Sequence, residues 1–180
     1  MTHSYYSTKY LQRWQVPHHE FTELSEAIYA SHTCRMIATY MKENLAKLTD
    51  YQLALTMLHL YNSKLPLDDY FYNEIVPITK EFVNNFDREC SSSLADIIKF
   101  CGWMKVQDDT LWQLFEKKLV AERLHRYFDV TQMVEVINGF SDAGKGSPEL
   151  FAIAEAYIVK HRLALDTELR SLAEEAFKNS

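Results

Sequence analysis

Apolar residues return at helical spacing along almost the whole chain from about residue 21 onward. Ile37, Tyr40, Met41 and Leu45 fall on one helix face, and Leu53, Met57, Leu58 and Tyr61 on another. An aromatic-rich stretch from Tyr70 to Phe86 follows, in which Pro77 is expected to kink a helix or open a new one. Further helices are predicted around Ile97, Ile98 and Cys101, then around Leu111, Trp112, Phe115 and Leu119, continuing through Leu124 and Tyr127. Val134, Val136, Ile137 and Phe140 predict the next, although Met133 to Ile137 taken alone also fits a strand. Leu150, Phe151, Ala154, Tyr157 and Ile158 predict another, and Leu169, Leu172, Ala173 and Ala176 the last. Thr49-Asp50, Ser91-Ser92-Ser93, Asp129 with Thr131, Ser147-Pro148-Glu149 and Asp166-Thr167-Glu168 stand where helix N-caps are expected. Ser147 is the clearest of these, because Pro148 after it suits the first helical position.

The helices repeat. The apolar pairs Met57-Leu58, Ile97-Ile98 and Val136-Ile137 recur at spacings of 40 and 39. Fourteen residues after the second member of each pair stands a large aromatic, Tyr72, Trp112 or Phe151, preceded by Phe71, Leu111 or Leu150. Each copy therefore reads as helix, short turn, helix, and a fourth, partial copy begins near Leu169. Neighbouring pairs of this kind bury each other's faces, so the expected fold is all-α, an α-solenoid of helical hairpins. The chain divides into an N-terminal arm, residues 1–20, and a helical-repeat domain, residues 21–180.

Composition narrows the function classes. Of the 180 residues 47% are hydrophobic, too many for a disordered chain, and four Gly with four Pro are too few for a fold of many tight turns. No apolar run reaches the roughly 18–20 residues of a membrane helix, so no transmembrane segment is expected. The formal charge of −6 argues against a nucleic-acid protein, which usually presents a basic face. Three cysteines, Cys34, Cys90 and Cys101, set among apolar neighbours, point to small buried hydrophobes in a reducing compartment.

The third copy carries a family resemblance. Its segment Val136-Ile137-Asn138-Gly139-Phe140-Ser141-Asp142-Ala143-Gly144-Lys145 resembles the first helix and turn of a pentatricopeptide (PPR) motif, with an apolar pair before Gly-aromatic and then Ala-Gly. The other copies keep the apolar pattern without that signature, and the period is longer, as in looser PPR-like helical repeats of mitochondria. PPR proteins read single-stranded RNA, one base per repeat, through small polar side chains. The matching positions here are Leu55, Ala95 and Val134, and none can hydrogen-bond a base edge. The resemblance thus implies a repeat scaffold without the RNA code, similar to the PPR-like subunits that decorate the catalytic head of euglenozoan mitochondrial ATP synthase. It implies a mitochondrial, matrix-side accessory subunit, with the α subunit of that head as first-choice partner. The alternatives are an RNA-associated helical-repeat protein, of the mitoribosome or of RNA processing, and a scaffold subunit of a respiratory complex.

Candidate chemistry is weak. Gly139 to Gly146 matches a phosphate-binding loop, GxxxxGK[ST], until Gly146 stands where Ser or Thr would hold magnesium. The repeat register makes residues 141–147 a turn between helices, equivalent to Asn62–Leu67 and Gly102–Gln107, with no strand ahead of it. His18, His19 and Glu20, and His32 with Cys34, lack a second ligand set, and His59, His125 and His161 sit on predicted helices. Asp108-Asp109 and Glu174-Glu175 fall at helix ends or solvated faces. No catalytic residue, cofactor or metal is expected. Lys117, Lys118, Arg123 and Arg126 form a basic cluster interrupted by Glu116 and Glu122, read as a solvated helix face. The best candidate for partner binding is the aromatic arm, through Tyr5, Tyr6, Tyr10 and Trp14, which either grips another protein or caps its own array.

Overall fold

The computed structural model describes residues 18–179, with side chains from Glu23 onward. All regular structure among these residues is helical. The helices are α1 (His18–Tyr29), α2 (Cys34–Glu43), α3 (Asp50–Ser63), α4 (Val76–Asn84), α5 (Ser91–Trp103), α6 (Asp109–Val120), α7 (Val130–Asp142), α8 (Pro148–Lys160) and α9 (Thr167–Lys178). Met133 to Ile137 lie within α7, so the helical period there prevails over the strand-like run.

Local chemistry starts most of these helices. Thr49 and Asp129 each accept from the backbone N–H three residues on, and Gln52 and Gln132 reach back to complete two capping boxes. Ser147 and Asp166 cap α8 and α9, and Pro148 opens α8. Pro77 follows directly on a π-helical turn, Phe71–Ile75, inside a helical run that is continuous over residues 69–84, so the widened turn takes up the hydrogen bond the proline cannot donate. Two expectations need correction. Ser91, Ser92 and Ser93 form the first turn of α5; the residue at the cap position is Cys90, which makes no side-chain cap bond. The helix around Leu111 does not continue through Leu124 and Tyr127. Arg123 adopts a left-handed φ of 60°, and Leu124–Tyr127 is a separate 3-10 turn. The His125 Nδ1–H donates to the Leu119 carbonyl at 2.6 Å, satisfying the end of α6.

The helices pack as two rows. The odd-numbered helices lie side by side, α1 on α3, α3 on α5, α5 on α7 and α7 on α9. The even-numbered helices form the second row, with α4 against α6 and α6 against α8, and α2 against the π turn that precedes α4. The repeated apolar pairs are the shared core: Met57, Leu58, Ile97, Ile98, Val136 and Ile137 are all buried. Phe71, Leu111 and Leu150, the residues ahead of the repeated aromatics, are buried with them. The aromatics themselves hold the rows together. The Trp112 indole N–H donates to the Val106 carbonyl at 2.8 Å, and its ring meets Phe140 of α7 at 4.9 Å. The Tyr72 hydroxyl accepts from the Gln107 N–H at 3.1 Å.

Ion pairs link the second row. Lys42 of α2 meets Glu74 at 2.8 Å, Lys80 of α4 meets Asp108 at 2.9 Å, and Lys145 meets Asp109 at 2.6 Å. Partial burial works to raise the Asp108 carboxyl, but hydrogen bonds from Lys80, the Leu111 N–H and Thr110 outweigh it and hold the group below its ordinary value. Glu116 of α6 accepts from the Ser147 N–H at 3.0 Å and from its hydroxyl, fixing the start of α8.

One crossing is unusually close. A Cβ on Gly102 of α5 would lie 2.3 Å from both the Cα and the carbonyl oxygen of Gly139 on α7. The two backbones therefore touch, which only glycine permits.

Candidate functional site

The repeat carries polar residues as well as apolar ones. Each apolar pair is flanked on both sides by a polar side chain, giving Thr56 and His59 on α3, Asp96 and Lys99 on α5, and Glu135 and Asn138 on α7. Residues three apart share a helix face, so these form one polar stripe on each helix of the first row. All but Glu135 are buried.

The stripe is cross-linked. The buried Lys99 ammonium lies 2.8 Å from the Glu135 carboxylate across the α5–α7 contact and 3.6 Å from Asp96 on its own helix. It also sits 4.8 Å above the Phe100 ring and 5.5 Å from that of Trp103. The Trp103 indole N–H donates to the Asn138 side-chain oxygen at 2.9 Å. On α3, His59 Nε2 donates to the Ser31 carbonyl at 3.0 Å, its Nδ1 accepts from the Ser63 hydroxyl at 3.2 Å, and Tyr29 packs edge-on against it. Tyr61, Phe100 and Trp103 form an aromatic cluster beside the stripe, with ring centroids 5.4 to 5.8 Å apart. Two clefts open on either side of Trp103. One, of about 380 Å³, is lined by Tyr61, Leu65 and Met104. The other, of about 840 Å³, is lined by Glu135, Asp166, Glu168, Leu172 and Glu175.

His59 is therefore a structural hydrogen-bonding residue; so is His125 at the end of α6, and His161 stacks on Tyr157 at 4.5 Å. Lys99, Asp96, Glu135 and Asn138 were not singled out by motif. The signal that finds them is the residue on each side of the repeated apolar pair.

The other sequence candidates fall differently. Tyr5, Tyr6, Tyr10 and Trp14 lie outside the described residues, as do the side chains of His18, His19 and Glu20. Gly139 to Asp142 belong to α7, and Gly144 (φ 68°) and Gly146 (φ 102°) shape the turn into α8, with no strand ahead of it among the described residues. Leu55, Ala95 and Val134, the positions matching the base readers, are buried. Among the described residues no group of three or more His, Cys, Asp or Glu could hold a metal ion, and no helix is long and apolar enough to cross a membrane. Cys34 and Cys101 are buried, but Cys90 is only half-buried. Burial pushes the Cys34 thiol up to about 11 and that of Cys90 to about 12, and Cys101 is raised as well, so thiolate chemistry is disfavoured at neutral pH.

The basic cluster is a correction. Lys117, Arg123 and Arg126 are exposed, but Lys118 is buried. Its ammonium donates to the Asn84 carbonyl at 2.7 Å, the Phe86 carbonyl at 3.0 Å and the Glu122 carboxylate at 2.7 Å. Lys118 thus closes the C-terminal end of α4 and offers no charge to a phosphate. Lys118→Met leaves two carbonyls without that donor, and is expected to cost roughly 2–4 kcal/mol. The thermal midpoint would then fall by about 4–16 °C, whereas Lys117→Gln stays within about 0.5 kcal/mol of the parent.

These features define, over the described residues, an all-helical protein of two packed helix rows, with a largely buried polar stripe and a part-exposed aromatic cluster along the first. Compared with protein-family models and with curated proteins, the chain matches none.

Proposed function

We propose that this chain is a non-catalytic, PPR-like α-solenoid that serves as an accessory subunit of a mitochondrial assembly, bound to the α subunit of the ATP synthase catalytic head. The observation that carries the reading is the fate of the base-reading positions. In a PPR unit those positions face the RNA, whereas Leu55, Ala95 and Val134 are apolar and enclosed in the core. A repeat array built this way keeps the hairpin geometry and has no means of reading bases, which favours a protein partner. The removal of Lys118 from the basic surface and the net charge of −6 weigh the same way. The partner and the mitochondrial address rest on the resemblance of the third repeat.

Affinity capture of the tagged full chain from mitochondrial extract, with and without RNase, tests this. Co-purification of the ATP synthase α and β subunits that survives RNase is the expected result. Partners lost on RNase treatment, or tight sequence-selective binding of single-stranded RNA by the purified chain, would overturn it.

A further inference from the structure

Each helix of the second row holds the start of the next through a polar side chain. Lys42 of α2 meets Glu74 of the π turn that leads into α4, and Lys80 of α4 meets Asp108, the cap of α6. Glu116 of α6 accepts from the N–H and the hydroxyl of Ser147, the cap of α8. Asp109 of α6 meets Lys145 just ahead of that cap, and Trp112 carries the ring that meets Phe140 of α7. The same face recurs on α8. Counting on 39 residues, Asp109, Trp112, Gln113 and Glu116 become Pro148, Phe151, Ala152 and Glu155. Phe151 meets Phe177 of α9 as Trp112 meets Phe140. The four residues of α8, with Phe177, line a cleft of about 640 Å³. Burial falls from each α6 residue to its counterpart on α8. Trp112 is buried and Phe151 half-buried, Glu116 half-buried and Glu155 exposed, Val120 half-buried and Val159 57% exposed. Among the described residues no helix follows α8 in the second row, and none bonds the Glu155 carboxylate.

We propose that this cleft is a docking site for a helix of a partner protein, one that begins with a Ser or Thr cap and takes the place beside α8 that α8 takes beside α6. Two observations select that occupant. The first is continuity with an interface the chain already makes: the side chains that receive the start of α8 are followed, in register, by an aromatic and a carboxylate on α8 itself. The second is charge. Where the receiving residue is Lys80, the cap it meets is an acid; where it is Glu116, the cap presents a hydroxyl and its backbone N–H. Glu155 is of the second kind. It accepts from a hydroxyl cap and from the N–H groups of a helix start, whose dipole favours an anion, and it repels an Asp cap. The apolar side of the incoming helix covers Phe151, Ala152 and Val159, which share one side of α8 with Glu155. The inference rests on the repeat geometry and holds whichever assembly the protein serves.

The test titrates the isotope-labelled full chain with a stapled helical peptide copying residues 145–160, the segment that the face of α6 receives, and follows amide shifts by NMR. Saturable shifts at Phe151, Ala152, Glu155 and Phe177 are expected. The Ser147→Asp form of the peptide is expected to bind about two- to five-fold more weakly, the worth of one exposed charge contact. Glu155→Lys in the chain, a change at an exposed residue, is expected to reverse that order, because the site then takes the polarity of Lys80 with Asp108. No saturable shift, shifts centred on Trp112 and Glu116 through exchange with α8 itself, or an order of the two peptides unchanged by Glu155→Lys would overturn the proposal.

Discussion

Gly102→Ala is expected to lose about 3 kcal/mol of stability or more, at the upper end of what overpacking costs. A methyl group in the middle of an exposed helix would do the opposite, since alanine is favoured over glycine there by about 1 kcal/mol. Here the added carbon would lie 2.3 Å from the Cα and the oxygen of Gly139, and backbone cannot rotate away as a side-chain tip can. The α5–α7 contact must open, and with it the packing of Ile97, Ile98, Val136 and Ile137. Gly139→Ala should cost less, because its new carbon would meet the Ile98 carbonyl oxygen at 3.0 Å and the Lys99 Cα at 3.3 Å, distances a small shift relieves. Gly144→Ala meets no atom within 4 Å, so only its left-handed φ of 68° opposes it, for about 1 kcal/mol. Urea unfolding of the three variants gives the order. Gly102→Ala as stable as the parent would refute the contact between the two backbones.

That contact illustrates what the sequence carries and what it hides. The helices were legible because each writes its signal locally, in an apolar period and a cap such as Thr49 with Gln52 or Asp129 with Gln132. The apolar pairs were legible as core because they repeat. Gly139 was legible as the glycine of a family-like first helix, and it does sit inside α7, but the residue that explains why it must be glycine stands 37 positions earlier on another helix. No local pattern joins the two. The premature end of α6 was hidden for a related reason. Arg123 carries no mark of a left-handed residue, and the His125 bond that compensates the exposed helix end forms only in the folded chain.

The polar stripe was half legible. Thr56, Asp96 and Glu135 precede the apolar pairs and His59, Lys99 and Asn138 follow them, so the register was present in the sequence. Their burial was not, because charged side chains on helices ordinarily face water, and a repeat period says nothing of which polar positions a neighbouring helix covers. Lys118 shows the same gap. Beside Lys117 it reads as half of a basic patch, and only the arrival of the α4 carbonyls beneath it turns it into a buried helix cap.

Lys99→Met tests the stripe most directly. Methionine keeps the length and much of the volume of the stem, so the core around Phe100 is filled, and what is lost is the charge. Asp96 is then a buried carboxylate without the ammonium 3.6 Å away, and Glu135 loses its 2.8 Å partner across the helix contact. Removing one member of a buried pair costs about 3–5 kcal/mol, because the remaining charge is left desolvated, whereas replacing both members is often nearly neutral. The single variant should therefore unfold at markedly lower urea, and the triple variant Lys99→Met/Asp96→Asn/Glu135→Gln should recover most of the loss. Burial also screens the interaction from ions, so the deficit of Lys99→Met should persist at high salt, unlike that of an exposed pair such as Arg88–Glu89. A deficit that vanished in salt, or a triple variant no better than the single one, would mean that Lys99 acts by filling space and that the charges across α5 and α7 are incidental to the fold.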